Sequence, residues 1–387
     1  MAEIANTQGA APYVAPHPTI RTLQFGKDTT FQKELQRRVD EYFVSTGRPK
    51  RGGWRMHLKT AIILACFAAS YVLLVFVAQN LWQGLFLAAI LALCTAGIGF
   101  NIQHDGGHNA YSERDWVNNL TAWTLDLIGG SSGRWRWKHT VIHHRFTNVA
   151  GYDTDLNVWP LGRVAPRQKL LPYHRWQHLY LWLLYGLLAL KMQLFDDFRY
   201  VITGRLGQIS VPRPHKWELV IFVVGKSLFI TWALALPMLF HPVSTVLFFY
   251  AVAAVVLGIV MVLVFTVPHL CDKADFPVPR ETASSMETPW AVHEALVTVD
   301  FARGNPVLTW LLGGLNYHKE HHLFPVVCHV NYRAISKVVE ETCRDFGIPY
   351  RTHGSFPAGI AAHYRWLKRM GREDSTAVER VTGAFDN

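Results

Sequence analysis

The chain has 387 residues, half of them apolar and only 17% charged, with a formal net charge of +10. So little charge cannot clothe the surface of two or three soluble domains, which favours a membrane protein. The Lys and Arg excess suits anionic headgroups, acyl phosphates or an acidic redox partner. It is spread through the polar segments and accompanies no nucleic-acid motif, so nucleic acid is not expected as a partner.

Residues 1–59 read as a cytoplasmic N-terminal region. Met1 to Lys27 lacks the basic-then-apolar order of a secretory signal and carries Pro12, Pro16 and Pro18, as expected of a loosely ordered tail. Phe31, Leu35, Val39 and Tyr42 then recur at helical spacing, with Thr29 and Gln32 in capping-box positions, predicting an amphipathic helix on the membrane surface or in a soluble cap.

From Thr60 to Gln103 run 44 residues without one Asp, Glu, Lys or Arg. A helix crosses a bilayer in about 20 residues, so two spans fit, reversing at Gln79-Asn80 between Thr60–Ala78 and Leu81–Phe100. Residues 104–216 form a long loop in which Leu179 to Leu190, twelve apolar residues, is too short to span and predicts an interfacial helix. Trp176, Tyr180, Trp182 and Tyr185 fit that depth. Residues 217–268 hold a second hairpin, whose uncharged part, Ser227 to Pro268, breaks at His241-Pro242. Lys226, near its start, either snorkels to the interface or faces the bundle interior and pairs with an acid such as Asp126.

Residues 269–387 form a C-terminal region with helices expected over Tyr332–Phe346, stopped by Gly347, and Ala358–Met370. The two short reversals hold no Lys or Arg, whereas Asn101 to Lys216 holds fourteen, so both termini and the long loop are placed in the cytoplasm. The expectation is an all-α, multi-pass integral membrane protein, in the inner membrane if bacterial. Its four transmembrane helices form two hairpins, joined by interfacial helices and a cytosolic helical cap. Cys66, Cys94, Cys271, Cys328 and Cys343 form no C-x-x-C pair and read as core residues in a reducing compartment.

Nineteen histidines are present, and eight fall in three groups. His104 and His108 end the second span at i, i+4, so both rings can point the same way. His139, His143 and His144 follow in the loop, and His318, His321 and His322 come after the last span. One such group is weak evidence for a metal. Three on the same predicted side of the membrane can converge, and eight nitrogens exceed the four ligands of a zinc ion. Two ions with about four imidazoles each leave room for an oxygen species, which redox-active iron exploits and zinc does not.

His269 ends the fourth span at the same depth and is assigned as a ninth ligand; His293 and His329 read as structural or supporting. Asp105, Asp153, Asp155, Asn316 and Glu320 are candidates to orient the imidazoles through their second nitrogen, with turn chemistry as the equal alternative for Asp153 and Asp155. Apolar lining for a substrate tunnel is sought in Trp123, Trp135 and Trp137, which equally suit interface anchoring. Arg134, Arg136 and Lys138 suit an acyl-carrier phosphate or lipid headgroups.

At His104-Asp105-Gly106-Gly107-His108, Trp137-Lys138-His139 through Thr147-Asn148, and Gly313 through Pro325, the chain resembles the membrane fatty acid desaturases, in particular their bacterial acyl-CoA or linoleoyl-CoA desaturase-like branch. The resemblance covers roughly Phe31 to Met370. It implies two non-haem irons, molecular oxygen as co-substrate, and two electrons from a ferredoxin or cytochrome-type donor. The implied substrate is a fatty acyl chain on CoA, a carrier protein or a lipid. The His-Pro-Gly-Gly haem motif of fused cytochrome domains is absent, so a separate donor is expected. Front-end desaturases, and many of this branch, carry Gln where this chain has His318, which leaves the double-bond position open. A sister hydroxylase, epoxidase or acetylenase would use the same ligands. A zinc hydrolase would need the missing H-E-x-x-H motif, and a metal transporter would place its ligands within the spans.

Overall fold

The computed structural model describes residues 23–279 and 285–372. The expected N-terminal tail lies, up to residue 22, outside the described residues.

Helix α1 (Thr30–Thr46) buries Phe31, Leu35, Val39 and Phe43, so Phe43 takes the core position expected for Tyr42. No capping box forms. Thr29 makes no side-chain cap, and Asp28 instead accepts from the Thr30 backbone N–H at 2.8 Å. Among the described residues, four helices are long and apolar enough to cross a membrane: α2 (Gly53–Val77), α3 (Leu81–Gly107), and, later in the chain, Trp217–Met238 and Val243–Thr266. The reversals fall where expected, and Asn80 caps α3 by accepting from Gln83 N–H at 3.0 Å. The first and third helices start earlier than the uncharged runs imply. Helical backbone extends through Arg55, Lys59 and Lys226, because long cationic side chains can lie along an apolar helix and carry their charge to polar partners.

Between the hairpins, α4 (Asp115–Ala122) is followed by α5 (Arg136–His143). The run expected as one short interfacial helix is a bent pair: α6 (Pro172–Gly186) and α7 (Leu188–Thr203) meet at 55°. Met192, Leu194, Phe195, Phe198 and Ile202 continue the apolar character past Lys191, and Asp196 and Asp197 mask it from a charge-free criterion. Ala189 of this pair packs with Ala92 and Ala96 of α3 and with Ala254 and Leu257 of α9 (Val243–Thr266), which follows α8 (Trp217–Met238). Small residues at these crossings let the backbones approach closely, the main source of helix association in lipid.

The cap comprises α10 (Trp290–Val297), α11 (His318–Leu323), α12 (Tyr332–Asp345) and α13 (Phe356–Met370). The buried face of α1 packs on Tyr332, Ile335 and Val339 of α12, which strap the N-terminal helix over the third histidine group. The strands are short pairings: Gln24–Gly26 with Ser285–Pro289, Arg205–Leu206 with Ile209–Ser210, and Asp300–Phe301 with Thr352–His353. All five cysteines are free.

Lys226 takes the interior alternative with a different partner. Its ammonium donates to Asp197 Oδ2 at 2.8 Å and to the carbonyls of Gly129 and Gln193 at 2.5 and 3.0 Å. Asp126 instead accepts from the Ser132 N–H at 3.3 Å.

Candidate metal centre

The first two histidine groups sit at locally unusual pieces of helix. The end of α3 widens to π-type turns over Ile98–Gln103, immediately before His104, and α5, which carries His139 and His143, is wound the same way. Such wide turns leave the regular hydrogen-bond ladder and re-aim side chains, and they concentrate at functional sites. Gly107 lets Trp135 close over the first group, since a Cβ there would stand 2.2 Å from the indole. The third group is delivered by a tight turn in which Gly313 has φ +61° and Gly314 φ +69°; a Cβ on Gly313 would stand 2.2 Å from the Phe100 carbonyl oxygen. His269 lies just past α9, held by the Val299 N–H bond to the Pro268 carbonyl.

All nine predicted histidines come together, and all are buried. Nitrogens of His104, His108, His139 and His321 lie within 4.8 Å of one another, as do those of His143, His269 and His322 and those of His144, His321 and His322. Nε2 of His139 is 3.2 Å from both His104 Nε2 and His144 Nε2, and Nε2 of His269 is 2.9 Å from His318 Nε2 and 3.3 Å from His143 Nε2. Buried Nε2 atoms of His108, His321 and His322 have no hydrogen-bond partner. Nine aromatic nitrogen donors aimed at one another is an arrangement that repels unless a cation lies among them. Two ring nitrogens about 3 Å apart, each roughly 2.1 Å from one ion, subtend close to a right angle, which suits metals taking five or six ligands. The residues therefore fit a metal site.

Burial, and after it the repulsion of neighbouring imidazoles, lowers the pKa of most of these rings. His108 is pushed down to about 3 by burial and then by His143, and His318 to about 3 chiefly by burial. Burial likewise drives His139, His144, His269, His321 and His322 well below the ordinary histidine range. A neutral ring keeps its lone pair free for a metal at neutral pH.

The fatty acid desaturase family model matches residues 80–354, which contain all nine of these histidines. The chain belongs to the fatty acid desaturase family. The desaturase is 34% identical over 367 residues to the sn-1 linoleoyl-lipid 6-desaturase of Arthrospira platensis, covering 94% of this chain and 99% of that protein. It is 31% identical to the protein of the same name from Synechocystis, covering 92% and 99%. It is 36% identical to the acyl-lipid (8-3)-desaturase of Physcomitrium patens, covering 90% of this chain and 74% of that one. The protein is thus an oxidoreductase of the membrane, and fatty acyl desaturation is its reaction.

Beyond the nine rings, only part of the expected supporting set stands where sequence placed it. Asp153 Oδ2 is 3.1 Å from His143 Nδ1, and Asp155 Oδ2 is 3.4 Å from the same atom. Asp153 also caps its own turn by accepting from Asp155 N–H at 2.9 Å, so the two alternatives for that residue coexist. Three candidates orient no ligand. Asp105, though flanked by His104, points to the opposite side of its helix and accepts from His329 Nδ1 at 2.8 Å and from the Cys328 thiol at 2.9 Å. Asn316 donates to Thr309 Oγ1 at 3.0 Å within its own turn. Glu320 faces away from the rings and accepts from the Tyr350 hydroxyl at 2.6 Å.

Two supporting residues escaped the sequence reading. Glu294 Oε2 is 2.8 Å from His322 Nδ1, and the Tyr332 hydroxyl is 3.2 Å from His321 Nδ1. The signal for Glu294 was a lone carboxylate within the apolar Trp290–Val297 helix; Tyr332 gave none. His318 Nδ1 is satisfied by the Leu315 carbonyl at 2.9 Å and His269 Nδ1 by that of Val297 at 3.3 Å. His329 bonds to Asp105 rather than to a ring of the cluster, and the His293 ring lies tilted 5.1 Å from that of Phe25.

Of the expected substrate-side residues, Trp135 alone touches the cluster, its ring 4.7 Å from His139, 5.2 Å from His108 and 5.7 Å from His104. Trp137 packs instead against Phe146, Tyr200 and their neighbours, and Trp123 is exposed on the helical surface. Arg134 does not await a phosphate: it is buried and paired with Asp196 at 3.2 Å and Asp197 at 3.5 Å. Lys138 forms a tight ion pair with Asp155, and Arg136 is exposed. A cavity of about 520 Å³ lies between the spans, lined by Tyr71, Phe229, Trp232 and Tyr250 among others, and by none of Trp123, Trp135 and Trp137.

Proposed function

We propose that the desaturase holds two non-haem irons on the nine imidazoles, at the cytoplasmic face of a multi-pass membrane domain, and introduces a double bond into an acyl chain carried by a membrane lipid. Molecular oxygen is the oxidant, and a separate ferredoxin or cytochrome-type protein supplies two electrons. The observation that carries the metal assignment is the convergence of nine buried rings, with the Nε2 atoms of His108, His321 and His322 unpartnered. The lipid-bound substrate is supported by relatives that match nearly end to end and are named for linoleoyl-lipid, and their 6-position supports insertion nearer the carboxyl end, despite His318. The cytoplasmic placement rests on the absence of Lys and Arg from the two short reversals.

An unactivated methylene is not acidic enough for any protein base, and a bound pair of irons supplies, with oxygen, the oxidising power that its C–H bonds require. His104, His108, His139 and His321 would hold one ion, and His143, His269, His318 and His322 the other, with His144 between them. The chain itself positions and dries the site. Asp153, Glu294, Tyr332 and two backbone carbonyls fix ring orientations, Trp135 covers one edge, and α1 and α12 close the cap above.

The test is expression of the chain and of its His321→Ala variant in a host of known lipid content, followed by mass spectrometry of lipid-bound and CoA-bound acyl chains. The expected result is a new product two mass units lighter than its precursor, in the lipid fraction, absent with the variant. A product gaining oxygen, or identical profiles from folded, iron-loaded protein, contradicts the proposal.

A further inference from the structure

The supporting contacts of the nine rings are not shared evenly. On one side, His143 meets the Asp153 carboxylate at 3.1 Å and His322 meets Glu294 at 2.8 Å. Both carboxylates are buried, and they come from different elements, a loop turn and α10. On the other side, no carboxylate among the described residues bonds to His104, His108, His139 or His321, and the one outer bond is the neutral Tyr332 hydroxyl on His321. The carboxylate nearest in sequence, Asp105, is drawn off by His329, whose other nitrogen is 2.8 Å from the buried Lys59 ammonium. Lys59 belongs to α2, so a span, the first histidine group and the loop after α11 are tied together by an array that turns this negative charge away from the rings.

A carboxylate accepting from the second nitrogen of a metal-bound imidazole makes that imidazole a stronger donor and stabilises the more highly charged metal. Resting on the di-iron reading above, we propose that the two half-sites are built unequal. Asp153 and Glu294 act as positioning residues that make the half held by His143, His269, His318 and His322 the more electron-rich. That half favours the ferric state. The first electron from the external one-electron donor therefore comes to rest on the half held by His104, His108, His139 and His321, reducing its ferric ion to ferrous.

The full-length chain loaded with ⁵⁷Fe, its iron content measured separately, tests this by Mössbauer spectroscopy during stepwise reduction. The expected spectrum has two doublets of equal area. Glu294→Gln and Asp153→Asn each shift the same doublet, Tyr332→Phe shifts the other, and the doublet insensitive to Glu294→Gln turns ferrous first. If Glu294→Gln does not fold, Asp153→Asn carries the same comparison. Carboxylate variants that move both doublets equally or neither, or reduction that begins at the Glu294-sensitive doublet, overturn the inference while leaving two bound irons intact. Protein that binds no pair of irons overturns the earlier reading and this one with it.

Discussion

Lys226 makes the sharpest test of the membrane-embedded architecture. It is 5% exposed, and its ammonium bonds to Asp197 and to the carbonyls of Gly129 and Gln193, while Asp197 keeps a further contact of 3.5 Å to Arg134. Lys226→Met keeps the length and apolar packing and removes the charge, so it leaves a buried carboxylate with one long partner and two carbonyls unpaired. Breaking a buried pair in this way costs about 3–5 kcal/mol. Asp197→Asn alone strands the ammonium beside Arg134. The double variant removes both charges, so its cost falls below the sum of the singles by about 1–3 kcal/mol. Reversible unfolding in mixed micelles, titrated with SDS and followed by circular dichroism, reads all three. A single-variant cost below about 1 kcal/mol, or additivity within about 0.5 kcal/mol, would show that the lysine snorkels to the interface and that the interior network does not form.

Backbone geometry at the third histidine group gives a second expectation. Gly313→Ala, at φ +61° and facing a backbone oxygen, should abolish folded protein on size-exclusion chromatography, whereas Gly304→Ala, with open space around it, should elute as wild type. A third concerns pH. Burial lowers His363 from its ordinary 6.5 to about 4, and its ring is bound by the Tyr185 hydroxyl and the Leu270 carbonyl. The unfolded chain therefore takes up the proton first as pH falls, so this residue's contribution is fully present above 6.5 and is lost between 6.5 and about 4. The loss totals about 3 kcal/mol at 1.36 kcal/mol per pH unit. His363→Gln should flatten the stability-against-pH curve over that window relative to wild type, and parallel curves would refute the assignment.

Sequence periodicity and charge-free runs were enough to find the four long apolar helices and both reversals, because a bilayer demands long uncharged helices whatever the tertiary fold. They misplaced only the start of the first helix, at Gly53, where Lys59 lies inside the helix and reaches His329, a partner the sequence does not reveal. The bent pair α6–α7 was missed for the same reason: Lys191, Asp196 and Asp197 break the hydropathy, yet Arg134 and Lys226 neutralise both acids from elsewhere in the chain. At the site, the converging histidines were legible because clustered histidines are chemically conspicuous. Their supports were not, since Glu294 reaches His322 across 28 positions and Asp105 chooses His329 across 224. Proximity in sequence favoured Asp105, Asn316 and Glu320, but helix geometry turns Asp105 and Glu320 away and Asn316 is taken up by Thr309 within its own turn.

The proposed di-iron centre rests on nine imidazoles from distant stretches of chain. The most direct measurement is the metal content of gently purified full-length protein by mass spectrometry, alongside the His321→Ala and His269→Ala variants. Two irons per wild-type chain are expected and less than two in each variant, with the protein still folded by circular dichroism. A single zinc ion per chain, or iron that persists undiminished in both variants, would contradict it.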